Sequence, residues 1–243
     1  MINPSRVINV SCNSHIQAIS ATLLKIKILV AEENIPYRPL SERRKYMENL
    51  ALWGEDIYMT GDGEKKVHTV EEILALPEGE RAELIDGEMF MMASPTLAHQ
   101  DILVWLVLRI GQYIQEKGGK CKVLPAPFAV FLKNDGRNYV EPDIVVICDR
   151  DKLDDRGCHG APDWVIEIVS PSSKTMDNYK KLGAYIEAGV REYWIVDPIR
   201  ETVIVYDIEN GEIPRFYHFT DSVNSAIFEE LVIDFSELKV YLQ

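Results

Sequence analysis

Two acids stand where apolar strands should carry none. In VEPDIVVICD, Asp143 follows Pro142 and directly precedes Ile144-Val145-Val146-Ile147; in APDWVIEIVS, Glu167 interrupts an apolar run from Trp164 to Val169. An unpartnered carboxylate in an apolar interior costs roughly 3–5 kcal/mol, so each acid needs something to bind. Neighbouring strands with one acid each would bring the two carboxylates close together, which is what a hard divalent cation requires. Mg²⁺ takes oxygen ligands in an octahedron and keeps several waters, so two carboxylates and a backbone carbonyl suffice. Such an ion stabilises charge on a phosphoryl oxygen and lowers the pKa of an attacking water. The pattern points to hydrolysis at phosphorus.

That chemistry also gains from a lysine near the water or the phosphate. The same-face strand neighbour of Glu167 is position 169, but the residue there is Val169. The following segment, SPSSKTMDNYKKLGAYIEAGV, reads as a helix that could fold back on the sheet and offers Lys174, Lys180 and Lys181. Lys181 is the preferred candidate, because Asp177 and Tyr185 lie one turn on either side of it and share its face.

The elements that must hold these groups are legible in outline. TVEEILALPEGE opens with a capping-box spacing, Thr69 to Glu72. AELIDGEMFMMA reads as a hairpin turning on Asp86-Gly87. A long helix follows, with Ile102, Trp105, Leu106, Ile110 and Ile114 on one side and Gly118-Gly119 as its stop. CKVLPAPFAVFL, broken by prolines, reads as an edge or interrupted strand. Then come the two acid-bearing strands, the lysine helix ending at Gly189, the strands EYWIVDP and ETVIVYDI, and a tail with a short strand and helix. This order predicts an α/β fold with a mixed central sheet flanked by helices.

The chain has 243 residues and a formal net charge of −13, which argues against coating nucleic acid by bulk electrostatics. Local binding remains open, with Lys174, Lys180, Lys181 and Arg191 as a candidate basic rim. The four cysteines show no C-x-x-C pairing, so a zinc site is not expected. No disulfide is demanded at this size, and a cytoplasmic setting is the default. The apolar run AISATLLKIKILVA is broken by Lys25 and Lys27 and is too short and charged to span a bilayer. Residues 1–46 differ in character from the rest and read as an N-terminal extension, poorly ordered or upstream of a start near Met47. Residues 47–243 read as one domain.

Asp143 with Glu167-Ile168-Val169 resembles the PD-(D/E)XK nuclease superfamily. More closely, AELIDGEMFMMASPTLAHQ, YVEPDIVVICD, GAPDWVIEIVSPSS and AGVREYWIVDP are similar, in order, to the Uma-two family of restriction-endonuclease-like proteins, over roughly residues 69–235. The resemblance implies a restriction-endonuclease-like core, often dimeric, that hydrolyses DNA with Mg²⁺ or Mn²⁺. It implies Asp143, Glu167 and the Ile168 carbonyl as metal ligands, Lys181 orienting the nucleophilic water, and Glu88 as an accessory acid. His99 and Gln100 become candidate neighbours of the site. Val169 departs from the superfamily, which places its lysine there; Asp177 and Lys181 match the family's alternative, a lysine on the following helix.

Plainer readings compete. Asp143 could cap a strand entrance, Glu167 could sit in a structural ion pair, and Asp177–Lys181 could be a surface pair worth about 0.3–0.5 kcal/mol. Trp164 and Trp194 read as core aromatics. Beside the endonuclease stand two alternatives: a non-catalytic nucleic-acid-binding or assembly module of the same fold, and a hydrolase of small phosphate esters.

Overall fold

The computed structural model describes residues 66–170 and 175–241, without the side chains of 175–179. The expectation for residues 1–46 and the candidate Lys174 lie outside that set. The first described helix, α1 (Val70–Leu74), has the expected capping box, with the Thr69 amide donating to Glu72 Oε2 at 3.4 Å. The Asp86-Gly87 hairpin follows, joining β1 (Ala82–Ile85) to β2 (Glu88–Met91) with Ile85 opposite Glu88. Both turn residues have positive φ, 49° and 80°, the conformation of a two-residue primed turn. The long helix α2 (Leu97–Glu116) starts at Thr96, whose Oγ1 accepts from the His99 amide at 3.3 Å. It ends where the Gly119 amide donates to the Ile114 carbonyl at 2.8 Å.

The remaining strands divide between two sheets. β3 (Lys122–Pro125), β6 (Ile144–Ile147), β9 (Trp164–Ile168), β10 (Glu192–Asp197), β11 (Thr202–Asp207) and β12 (Arg215–His218) form a mixed sheet in the order β12-β11-β10-β9-β6-β3. β3 is its edge, as its prolines predict. The short strands β4 (Val130–Phe131), β5 (Tyr139–Val140), β7 (Leu153–Asp154) and β8 (Gly157–His159) join the hairpin in a second sheet, β2-β1-β5-β4-β8-β7. The sequence suggested one central sheet; the chain leaves it at Pro125-Ala126-Pro127 and builds another. A ribbon, β13 (Ser222–Asn224) with β14 (Val232–Asp234), and α4 (Leu238–Tyr241) complete the described chain.

Alternation along the first sheet explains where the acids point. Ile144, Val146, Trp164, Ile166, Ile168, Trp194 and Val196 face one side, where they bury the apolar stripe of α2: Ile102, Trp105, Leu106, Ile110 and Ile114. Trp164 and Trp194 are fully buried there, edge to face at 4.8 Å. The odd-numbered residues of β6 and β9 face the other side, which α3 (Thr175–Ala188) covers with Tyr185, itself buried. Asp143 and Glu167 share that second face.

The structure also pairs Cys121 with Cys148 in a disulfide. The two flank the β3–β6 ladder, which ends at Lys122 opposite Ile147. Sequence spacing could not suggest this pairing, because only the strand register sets it. Among the described residues no helix is long and apolar enough to cross a membrane.

A Cβ at Gly87 would stand 2.5 Å from Val67 Cγ1, at a φ of +80°. Gly87→Ala is therefore expected to lower the unfolding free energy by about 1–2 kcal/mol. Urea denaturation measures it, and an unchanged midpoint would show that the hairpin tolerates a side chain there.

Candidate active site

β6 and β9 run antiparallel, with Ile144 opposite Ile166 and Val145 opposite Val165. Extending that register by one residue sets Asp143 opposite Glu167, on the face that α3 covers. The sheet thus delivers the juxtaposition the sequence suggested. Both acids line a cleft of about 370 Å³, together with Glu83, His99, Gln100, Ile168, Val169 and Lys181.

Each acid is held by particular donors. Asp143 Oδ2 accepts from the Ile168 amide at 2.7 Å and from His99 Nε2 at 3.1 Å. One oxygen of Asp143 is thereby engaged twice, which fixes the carboxylate's orientation. His99 comes from the first turn of α2, so the Thr96 cap also sets this contact. Burial opposes the imidazolium of His99. The Asp143 hydrogen bond and charge, the Glu167 charge and the Ile168 backbone outweigh burial and raise its pKa.

Glu167 Oε1 accepts from Lys181 Nζ at 2.9 Å and from the Tyr185 hydroxyl at 2.7 Å. Lys181 and Tyr185 are one helical turn apart, so a single face of α3 supplies both donors. Val169 lines the cleft, but the lysine beside Glu167 comes from the helix. Lys181 Nζ also lies 2.7 Å from Glu83 Oε2, and Glu83 Oε1 accepts from the Glu141 amide at 3.0 Å. Burial disfavours the ammonium of Lys181, yet the charges and hydrogen bonds of Glu167 and Glu83 raise its pKa. It stays protonated at neutral pH, so it serves as a cation and donor rather than as a base. Burial pushes Glu167 up to about 7, aided by the charges of Glu83 and Asp143 and opposed by Lys181.

Glu83 was not singled out from the sequence. The acid expected from this hairpin was Glu88, which instead bonds Lys180 Nζ at 2.8 Å and is not among the cleft residues. The signal that found Glu167 would have found Glu83 too, since it lies in AELI, a strand buried throughout. Tyr185 was placed beside Lys181 but not given its contact with Glu167. The Asp177 side chain lies outside the described residues. The basic rim is also revised: Lys180 and Lys181 engage carboxylates, and Arg191 bonds Asp163 at 3.1 Å and Glu209 at 2.9 Å.

The donor set suits a hard cation. Above the pH at which Glu167 and His99 titrate, Glu83, Asp143 and Glu167 set three carboxylates against the single ammonium of Lys181, which leaves a surplus of negative charge in the cleft. Among the described residues, no three His, Cys, Asp or Glu side chains converge as a ready-made cage. An ion here would need oxygen ligands beyond these side chains, which argues against a closed zinc site.

Comparison with known proteins bears on the family and the fold. Residues 70–236 match the model of the Uma2 family, described as "Putative restriction endonuclease". A crystal structure from Anabaena variabilis, a "putative nuclease belonging to DUF820", superposes with a TM-score of 0.61 at 23% identity. It covers 72% of this chain and 99% of its own, and at that identity it shows the shared fold. A Synechocystis protein, "Uncharacterized protein slr1290", is 25% identical over 160 residues, 66% of this chain and 77% of its own. The protein is a mixed α/β chain with the fold of that structure, and it belongs to the Uma2 family.

Two outcomes follow from the buried charges. Lys181→Met leaves Glu83 and Glu167 without their cation and is expected to cost about 3–5 kcal/mol of stability, measured by denaturant titration; a loss under about 1 kcal/mol would show the pair to be well solvated. Glu167, whose folded pKa of about 7 exceeds its usual 4.5, binds more protons folded than unfolded between those values. Its stabilising contribution is full below pH 4.5 and declines as pH rises to about 7. Glu167→Gln should remove that part of the slope; identical slopes for the two proteins would contradict the assignment.

Proposed function

We propose that this protein is a divalent-metal-dependent endonuclease that hydrolyses phosphodiester bonds in DNA. The observation that carries the reading is the meeting of Asp143, Glu167 and Lys181 at one cleft, from two neighbouring strands and the helix after them. Membership of a family described as "Putative restriction endonuclease", and a neighbour titled a "putative nuclease", support it.

In this reading Asp143, Glu167 and the Ile168 carbonyl hold Mg²⁺ or Mn²⁺. When bound, the ion supplies a Lewis acid for a phosphoryl oxygen and lowers the pKa of a coordinated water. His99 and the Ile168 amide keep Asp143 in one orientation. Lys181, locked by Glu83 and steered by Tyr185's neighbouring bond to Glu167, holds a positive charge where the attacking water and the developing phosphorane charge must lie. Glu83 acts through Lys181, as a positioning residue. DNA as substrate, a homodimer and a cytoplasmic setting belong to the same proposal. In the cytoplasm Cys121 and Cys148 would be held as thiols, and neither lines the cleft.

The binding-module alternative keeps one specific support, since every buried acid of the cleft already has a protein donor. Incubation of supercoiled plasmid with the full-length protein separates the two. Nicking with Mg²⁺ or Mn²⁺, abolished by EDTA and lowered at least about 100-fold in Asp143→Asn, Glu167→Gln and Lys181→Ala, is the expected result. Cleavage that persists in Glu167→Gln would place the chemistry elsewhere.

A further inference from the structure

The cleft has a second wall that the carboxylates do not explain. Beside the acids it is also lined by Phe90, Met91, Met92, Pro95 and Pro127. Phe90 is the direct cross-strand neighbour of Glu83 in the hairpin, so its ring stands on the same face as the acid that locks Lys181. Lys180 Nζ lies 5.0 Å from the ring centroid and is itself bonded to Glu88. Half-buried Phe90 and exposed Met91 present apolar surface at the mouth of an otherwise charged site.

The cations of the cleft are already engaged by carboxylates. Lys181 is shared by Glu83 and Glu167, and Arg81 donates to Glu141 Oε2 through Nε at 2.9 Å and through its terminal nitrogen. Affinity for either form draws on cations that displace condensed counterions from phosphates, and here those cations are already neutralised in a chain of net charge −13, so the choice between the two forms falls to the apolar wall. A duplex hides its bases in the stack, leaving the apolar wall nothing to bind. An unpaired strand offers the π-face of each base, and stacking on an aromatic ring tolerates any sequence. The volume, about 370 Å³, is that of a small-molecule site, with room for one nucleotide.

We propose that this apolar wall, centred on Phe90, is a subsite for an unstacked base next to the scissile phosphate, so that the preferred substrate is single-stranded DNA. The proposal rests on the nuclease reading for its chemistry, but binding tests it independently. Fluorescence anisotropy of the full chain with a labelled single strand and the matching duplex, in Ca²⁺ at physiological salt, should show at least about tenfold tighter binding to the single strand. Phe90→Leu keeps the bulk and apolar character but removes the π-face; it should lose about tenfold on the single strand, and Phe90→Trp should keep wild-type affinity.

Equal or tighter duplex binding, or an unchanged single-strand affinity in Phe90→Leu, would overturn the subsite. If the single strand binds as expected but is not cut with Mg²⁺ or Mn²⁺, the nuclease reading falls and what stands is base binding at the apolar wall. If a duplex is cut in preference, the nuclease reading stands and the subsite falls.

Discussion

The structure depends on one ammonium group. Lys181 reaches Glu83 on the second sheet and Glu167 on the first, so a single side chain from α3 joins both sheets where they meet. Burying two carboxylates would be prohibitive without that cation, and burying the cation would be equally costly without them. The mutual requirement fixes the height of α3 over the sheet, and Tyr185 one turn later adds its bond to the same Glu167 oxygen. Ion pairs of this kind contribute little net stability compared with apolar packing; what they specify is geometry. Here that geometry surrounds a cleft whose negative charge is only partly offset.

Several of these relations could be read from the residues alone. An acid inside an apolar strand is a strong signal, because so few environments tolerate it, and it led to Glu167. Helical periodicity placed Lys181 and Tyr185 on one face, and Asp86-Gly87 announced the hairpin through the positive φ that its turn requires. Other features rest on long-range pairing that local pattern does not encode. The second sheet is built from strands of two to four residues, too short to show a period, so its existence was not legible. Glu83 carries the same signal as Glu167, an acid within an apolar strand, but over the four residues of AELI that signal is weaker. The Cys121–Cys148 pair is visible only once β3 and β6 are in register.

The acidic character of the chain extends into its cleft, where each cation already has a carboxylate partner. Catalysis at phosphorus needs positive charge near the reacting group, and the pairing of Lys181 leaves that charge partly spent. A bound divalent ion would redistribute it, since Asp143 and Glu167 would turn their surplus toward the metal while Glu83 keeps Lys181 in place. Asp143 is prepared for such a role by having one oxygen already committed to His99 and the Ile168 amide. Outer partners that fix a ligand's orientation commonly matter to metal affinity nearly as much as the ligand itself.

Under the proposed function, a divalent cation completes the cleft between Asp143 and Glu167. Calorimetric titration of the full-length protein with Mn²⁺, above the pH at which Glu167 titrates, tests it most directly. The expected result is one saturable site, lost in Asp143→Asn and in Glu167→Gln and kept in Glu88→Gln. Absence of binding, or a site indifferent to both acids, would contradict it and leave Glu167 as the buried partner of a structural lysine.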